Sequence, residues 1–94
     1  MATLTDVELE QAIASLPGWQ MESGELVREY KFPDFAAAMR FVNQVADEAE
    51  KANHHPDIDI RYNRVRLALI SHDSGGITQR DISMAKRIAS LISH

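Results

Sequence analysis

Three of the four histidines in this 94-residue chain stand where secondary structure should break. His54 and His55 come just ahead of Pro56, and His72 follows an alternating apolar run that ends at Ile70-Ser71. Imidazole suits proton transfer because its unperturbed pKa lies near neutral pH. Loop histidines are also common as plain solvated residues, and His54-His55 taken alone reads that way. Convergence favours a site. The start of a third strand and the end of a fourth are neighbours in an antiparallel hairpin, so pairing around Asn63-Arg64 brings His55 and His72 to one end of the sheet. His54, His55, Asp57, Asp59 and His72 could also ligate a metal. Adjacent residues in extended chain point to opposite sides, however, and no HExxH-type motif is present. No metal is expected.

The elements that must position these residues are legible in the pattern. Thr5 and Glu8 have capping-box spacing, Leu4 and Leu9 are placed as a staple, and Leu9, Ala12, Ile13 and Leu16 share a face until Pro17-Gly18. Trp19-Gln20-Met21 and Leu26 to Phe32 read as two strands about Ser23-Gly24, with Leu26, Tyr30 and Phe32 on one face. Asp34 caps the longest helix, whose core stripe is Phe35, Ala38, Met39, Val42, Val45, Ala46 and Ala49. That helix must stop before Pro56, with Asn53 as its end. Ile58, Ile60 and Tyr62 alternate with Asp59 and Arg61 as a half-buried strand, and Val65, Leu67 and Leu69 form the next. Thr78 and Asp81 repeat the capping-box spacing, and Ile82, Ala85, Ile88, Ala89 and Ile92 make the last apolar face.

The expectation is one α+β domain over residues 1–94, ordered α-β-β-α-β-β-α, with a four-stranded antiparallel sheet and three helices on one face. The bare sheet face or edge would then need a cover, which hints at oligomers. With 14 acidic and 10 basic residues the net charge is −4, which weighs against nucleic-acid binding. The absence of cysteine removes thiol nucleophiles and zinc-thiolate sites and fits a reducing cytosol, so a cytoplasmic protein is expected. Met1-Ala2-Thr3-Leu4 runs straight into a polar helix start, without a secretory signal. Leu67-Ala68-Leu69-Ile70 is far too short to span a membrane.

Other candidates carry two readings each. Asp81 is first a helix-capping carboxylate, and it also stands at the rim of the histidine site. Trp19 could stack on a planar ligand, although a lone Trp in a small domain is more often core. Gly75-Gly76 is a turn without a phosphate-loop lysine. Ser71 has no triad spacing to make it a nucleophile, and His94 is terminal and set aside.

The run Glu50-Lys51-Ala52-Asn53-His54-His55-Pro56, then Tyr62-Asn63, Val65, Leu67, Leu69 and Ser71-His72, resembles one family. Gly75-Gly76, Thr78, Arg80-Asp81 and Ala85 continue it. This is similar to the pterin-4a-carbinolamine dehydratases, also called dimerisation cofactors of a homeodomain transcription factor. The resemblance implies dehydration of 4a-hydroxytetrahydropterin to quinonoid dihydropterin, in dimers or tetramers and without a cofactor. It puts catalytic roles on His54, His55, His72 and Asp81. Asn53, Ser71 and Asp73 then border the pterin, where other members carry Asp, Thr and Glu, and Trp19 is carried as a further binding residue. The rival is a non-enzymatic binding, assembly or coactivator factor on the same fold. In an oligomer, the Ile-rich last helix, at Ile88, is the candidate tetramer contact.

Overall fold

Thr5 opens the first helix as its spacing predicts. Its Oγ1 accepts from the Glu8 N–H at 3.2 Å, while Glu8 Oε1 accepts from the Thr5 N–H at 2.8 Å. These reciprocal bonds hold the Glu8 carboxyl below its usual range. The computed structural model describes residues 2–92, so His94 lies outside it. Three helices, α1 (Asp6–Ala14), α2 (Phe35–Ala52) and α3 (Gln79–Ser90), alternate with two hairpins. The strands are β1 (Gln20–Glu22), β2 (Glu25–Lys31), β3 (Asp57–Arg61) and β4 (Arg64–Leu69). Asp34 caps α2 by accepting from the Ala37 N–H at 2.8 Å.

The strands form one antiparallel sheet in the order β1-β2-β4-β3. Register fixes which side chains share a face. Leu26 lies opposite Leu69 and Tyr30 opposite Val65, with Leu67 on the same side. These residues are buried against Ala38, Phe41, Val45 and Ala49 of α2 and Ile82, Met84, Ala85 and Ile88 of α3. Phe41 sits between Tyr30 and Phe32 with both ring centroids 5.0 Å away. Each fully buried aliphatic side chain here contributes about 1.5–3 kcal/mol, and that layer holds the helices on the sheet.

Four expectations need correction. The hairpin turns on Tyr62-Asn63 rather than Asn63-Arg64, with Tyr62 at φ +53. Asn63 is the reason, since its Nδ2 donates to Phe32 O at 2.9 Å and its carbonyl accepts from the Phe32 N–H. The core stripe of α2 is rotated from the one expected. Phe35 is half exposed and Ala46 exposed, while Phe41 is buried in the aromatic cluster. β3 is an edge strand and not half-buried, with Ile58 38% and Tyr62 67% exposed, because the helix layer does not reach over it. Ile88 is fully buried in the monomer's core and offers no surface to another copy.

The sheet face away from the helices also differs from an apolar surface in need of cover. Outward positions carry ion pairs, Arg64 with Glu29, Arg66 with Glu22 and Arg61 with Asp59. Val27 and Ala68, partners in the ladder on that face, are nonetheless buried. On the helix side, Arg28 lies 4.4 Å over the Tyr30 ring and donates to Pro17 O at 2.9 Å. Gly18 makes that path possible: its φ is +83, and a Cβ there would stand 1.0 Å from Arg28 Nη1. Gly24 has the same φ but open space around it. Gly24→Ala should therefore cost about 1 kcal/mol from backbone strain alone. Gly18→Ala should cost more, about 2 kcal/mol, because Arg28 must also leave. Denaturant unfolding of the two variants checks the order, and equal losses would mean that the Arg28 anchorage adds nothing.

Candidate active site

The site begins at the end of α2. Asn53 takes the left-handed conformation (φ 50, ψ 44), and the His54 N–H turns back to Ala49 O at 3.1 Å. Asn tolerates this conformation better than most residues, and the closing bond satisfies a carbonyl at the helix end. The chain then runs extended into Pro56 and β3, so the two histidines part. His54 turns inward and is 8% exposed, whereas His55 stays exposed.

His54 meets a buried carboxylate. Its Nε2 lies 2.5 Å from Asp81 Oδ1, and Asp81 has no exposed surface. The other oxygen, Oδ2, accepts from Ser71 Oγ at 2.8 Å and from the Thr78 N–H at 2.9 Å. Ser71 and Thr78 hydroxyls lie 2.9 Å apart. Because Ser71 gives its proton to Asp81, Thr78 must donate to Ser71. Thr78 Oγ1 also accepts from the Arg80 N–H at 3.2 Å, so the α3 cap and the histidine anchor form one network. The carboxylate, not the imidazole, stands in the middle of this chain, so Ser71 donates to Asp81 and lacks the serine–histidine contact of an activated nucleophile.

His55 has its own carboxylate on the surface, with Nε2 at 2.6 Å from Glu50 Oε2. In both rings a carboxylate accepts at Nε2, so Nε2 carries a proton, and in the neutral ring Nδ1 holds the lone pair. His72 follows β4 in a turn closed by the Ser71–Gly76 bridge, and its ring has no side-chain partner among the described residues. Pairing of Asp57 with Ala68 sets the start of β3 beside the end of β4, and the histidines converge there.

A cleft of about 330 Å³ results, lined by Asn53, His54, His55, Ser71, His72 and Asp73, together with Ile70 and Arg80. Asp81 is held behind His54 and not on the wall. Trp19 is elsewhere, 3% exposed in the hydrophobic core. Three residues that the sequence analysis names only within the family motif or as a helix cap also contribute to the site: Glu50, Arg80 and the Thr78 hydroxyl. Glu50 precedes His55 by five residues, a spacing that meets only because Asn53 reverses the chain between them. Among the described residues, no three His, Asp or Glu side chains come together as metal ligands. Also among them, no helix is long and apolar enough to cross a membrane.

The fold is a helix-backed antiparallel sheet of the α+β class, with three imidazoles around one cleft and two of them tied to carboxylates. The model of the pterin 4 alpha carbinolamine dehydratase family matches residues 2–91, and the chain belongs to that family. A provisionally named pterin-4-alpha-carbinolamine dehydratase of Acidobacterium capsulatum is 55% identical over 98% of this chain and 100% of its own length. The crystal structure of a transcriptional coactivator/pterin dehydratase from Brucella melitensis superposes with a TM-score of 0.92 at 38% identity, covering 97% of this chain and 99% of that one. A pterin dehydratase-like protein identified as a RuBisCO assembly factor in the alpha-carboxysome shares the fold at 22% identity, with a TM-score of 0.64 over 78% of this chain and 84% of that one.

Asp81→Ala would leave the His54, Ser71 and Thr78 donors without their acceptor, and should cost roughly 3 kcal/mol. Ser71→Ala removes one donor of three and should cost about 1 kcal/mol. Glu50→Ala, at an exposed pair, should stay within about 0.5 kcal/mol of the parent. Unfolding free energies for the three variants test this ranking, which fails if Asp81→Ala is as mild as Glu50→Ala.

Proposed function

We propose that this chain removes water from 4a-hydroxytetrahydropterin to give quinonoid dihydropterin, the step that recycles a tetrahydropterin after it has served a hydroxylase. The reaction breaks the C4a–O bond. It needs a proton delivered to the departing hydroxyl and a proton taken from N5, whose electron pair forms the new C4a–N5 double bond. Both transfers lie within the reach of imidazoles. The observation that carries the reading is the convergence of His54, His55 and His72 on one cleft in a chain of this family.

Exposure divides the roles. His55 and His72 stand open to the cleft and exchange protons with the substrate, while His54, held by Asp81, assists and helps to bind it. Asp81 orients His54, and Asn53, Ser71 and Asp73 shape the pterin's surroundings. Water formation can be followed as quinonoid dihydropterin appearing from freshly generated 4a-hydroxytetrahydropterin. His55→Ala and His72→Ala should each lower kcat about 100-fold, within the usual contribution of a positioned acid or base. His54→Ala should lower it less. A folded parent that does not accelerate the spontaneous reaction would give the site to the assembly or coactivator reading, for which the coactivator name of the Brucella protein is the support.

The working form we propose is a homo-oligomer. Ile58 leaves apolar surface on the open edge strand, Tyr62 does so in the turn after it, and Phe35 does the same on α2. β3 is an edge strand whose outer main-chain groups a second copy can pair. Ile58→Lys should shift the sedimentation mass towards the monomer without unfolding the chain. An unchanged mass would place any self-association elsewhere.

A further inference from the structure

We propose that Arg80 is the positioning residue of the site, tying the segment that carries His54 and His55 to the segment that carries His72. The inference rests on the dehydratase reading for its kinetic part only. Arg80 stands in the first turn of α3, where Thr78 Oγ1 caps its N–H. Its backbone is therefore fixed in the same network that holds Asp81 and, through Asp81, His54. From that base the guanidinium reaches two ways. Nη2 donates to the main-chain oxygen of Asn53 at 3.1 Å, the residue directly before His54. Nη1 lies 3.6 Å from Asp73 Oδ2, the residue directly after His72.

Only His72 depends on that reach. His54 is locked by Asp81, and His55 meets Glu50. The His72 ring has no such partner, and its turn is closed by main-chain bonds among Ser71, His72, Ser74, Gly75 and Gly76. Ser71 fastens the start of that turn to Asp81, and beyond His72 the pair with Asp73 is the one side-chain tie from the turn to α3 among the described residues. The pair is exposed at 35% and 69%, so it adds little to stability. Its effect on geometry is of another order. Two imidazoles that serve opposite ends of one substrate must keep their separation, and a misplacement of about 1 Å can cost roughly 100-fold in rate. A planar fork with several donors can hold a carbonyl and a carboxylate together, which a lysine ammonium on a flexible stem does poorly. Arg80 also lines a second cleft of about 250 Å³ beside Ala52 and Ser83, so the guanidinium bridges across open space and not through packed core.

The test compares Arg80→Ala with the parent. In Arg80→Ala, kcat should fall about 10-fold or more with KM nearly unchanged and melting close to that of the parent. Millimolar ethylguanidinium should restore part of the rate. Asp73→Asn, which loosens one of the two ties, should show a smaller fall in kcat and serves as the probe if Arg80→Ala folds poorly. A rise in KM at constant kcat would make Arg80 a substrate contact and overturn the proposal, as would unchanged kinetics. Backbone ¹⁵N relaxation supplies a readout free of activity: the His72 and Asp73 amides should lose order in Arg80→Ala while His54 keeps it. Unchanged order at His72 overturns the proposal even in an active enzyme. An inactive parent whose His72 loosens in Arg80→Ala would overturn the dehydratase reading and leave the tie standing.

Discussion

A carboxylate with no exposed surface must be surrounded by donors, and Asp81 draws them from three separate parts of the chain. The Thr78 N–H belongs to its own helix start, the Ser71 hydroxyl follows β4, and the His54 imidazole follows α2. An unpaired charge at this depth would be costly, so none of the three segments can withdraw without exposing or stranding the others. The end of the long helix, the end of the central strand and the start of the last helix are thus brought to one point by one side chain. The cleft lies where they meet.

The parts of this arrangement that are local in sequence are legible in it. Thr78 with Asp81 and Thr5 with Glu8 are capping boxes by spacing, and both close as expected. The approach of His55 to His72 follows from hairpin topology alone, and a turn one residue away from the expected place does not disturb it. The parts that fail are those that depend on what lies beside an element. Ile58, Ile60 and Tyr62 alternate as they would in a covered strand, but alternation reports a face and not whether anything covers it. The stripe on α2 cannot be centred from the sequence because Phe35 and Phe41 are equally apolar in it. Only the Tyr30 and Phe32 rings on the sheet decide that Phe41 is the one inside.

The contacts of Glu50 and Arg80 are hidden in the sequence for a related reason. Neither has a partner at helical or strand spacing. The Glu50–His55 contact exists because a left-handed Asn53 folds the chain back, and the Arg80 contacts join residues separated by 27 and 7 positions through the tertiary fold. Ion pairs on the outer sheet face show the same dependence, since Arg66 meets Glu22 only because β2 stands between β1 and β4.

The double duty of Asp81 changes how descendants of this fold would record their history. A lineage that abandoned the chemistry and kept only the scaffold would still need an acid there, with a serine or threonine beside it, because the helix start and the buried imidazole rely on it. His72 has no side-chain partner among the described residues and His55 has only an exposed pair with Glu50, so on the proposed reading both would drift once selection on turnover relaxed. On the dehydratase reading proposed above, the exposed pair of histidines is the sequence mark that separates a working descendant from a retired one. The buried acid, for all its centrality, marks only the ancestry.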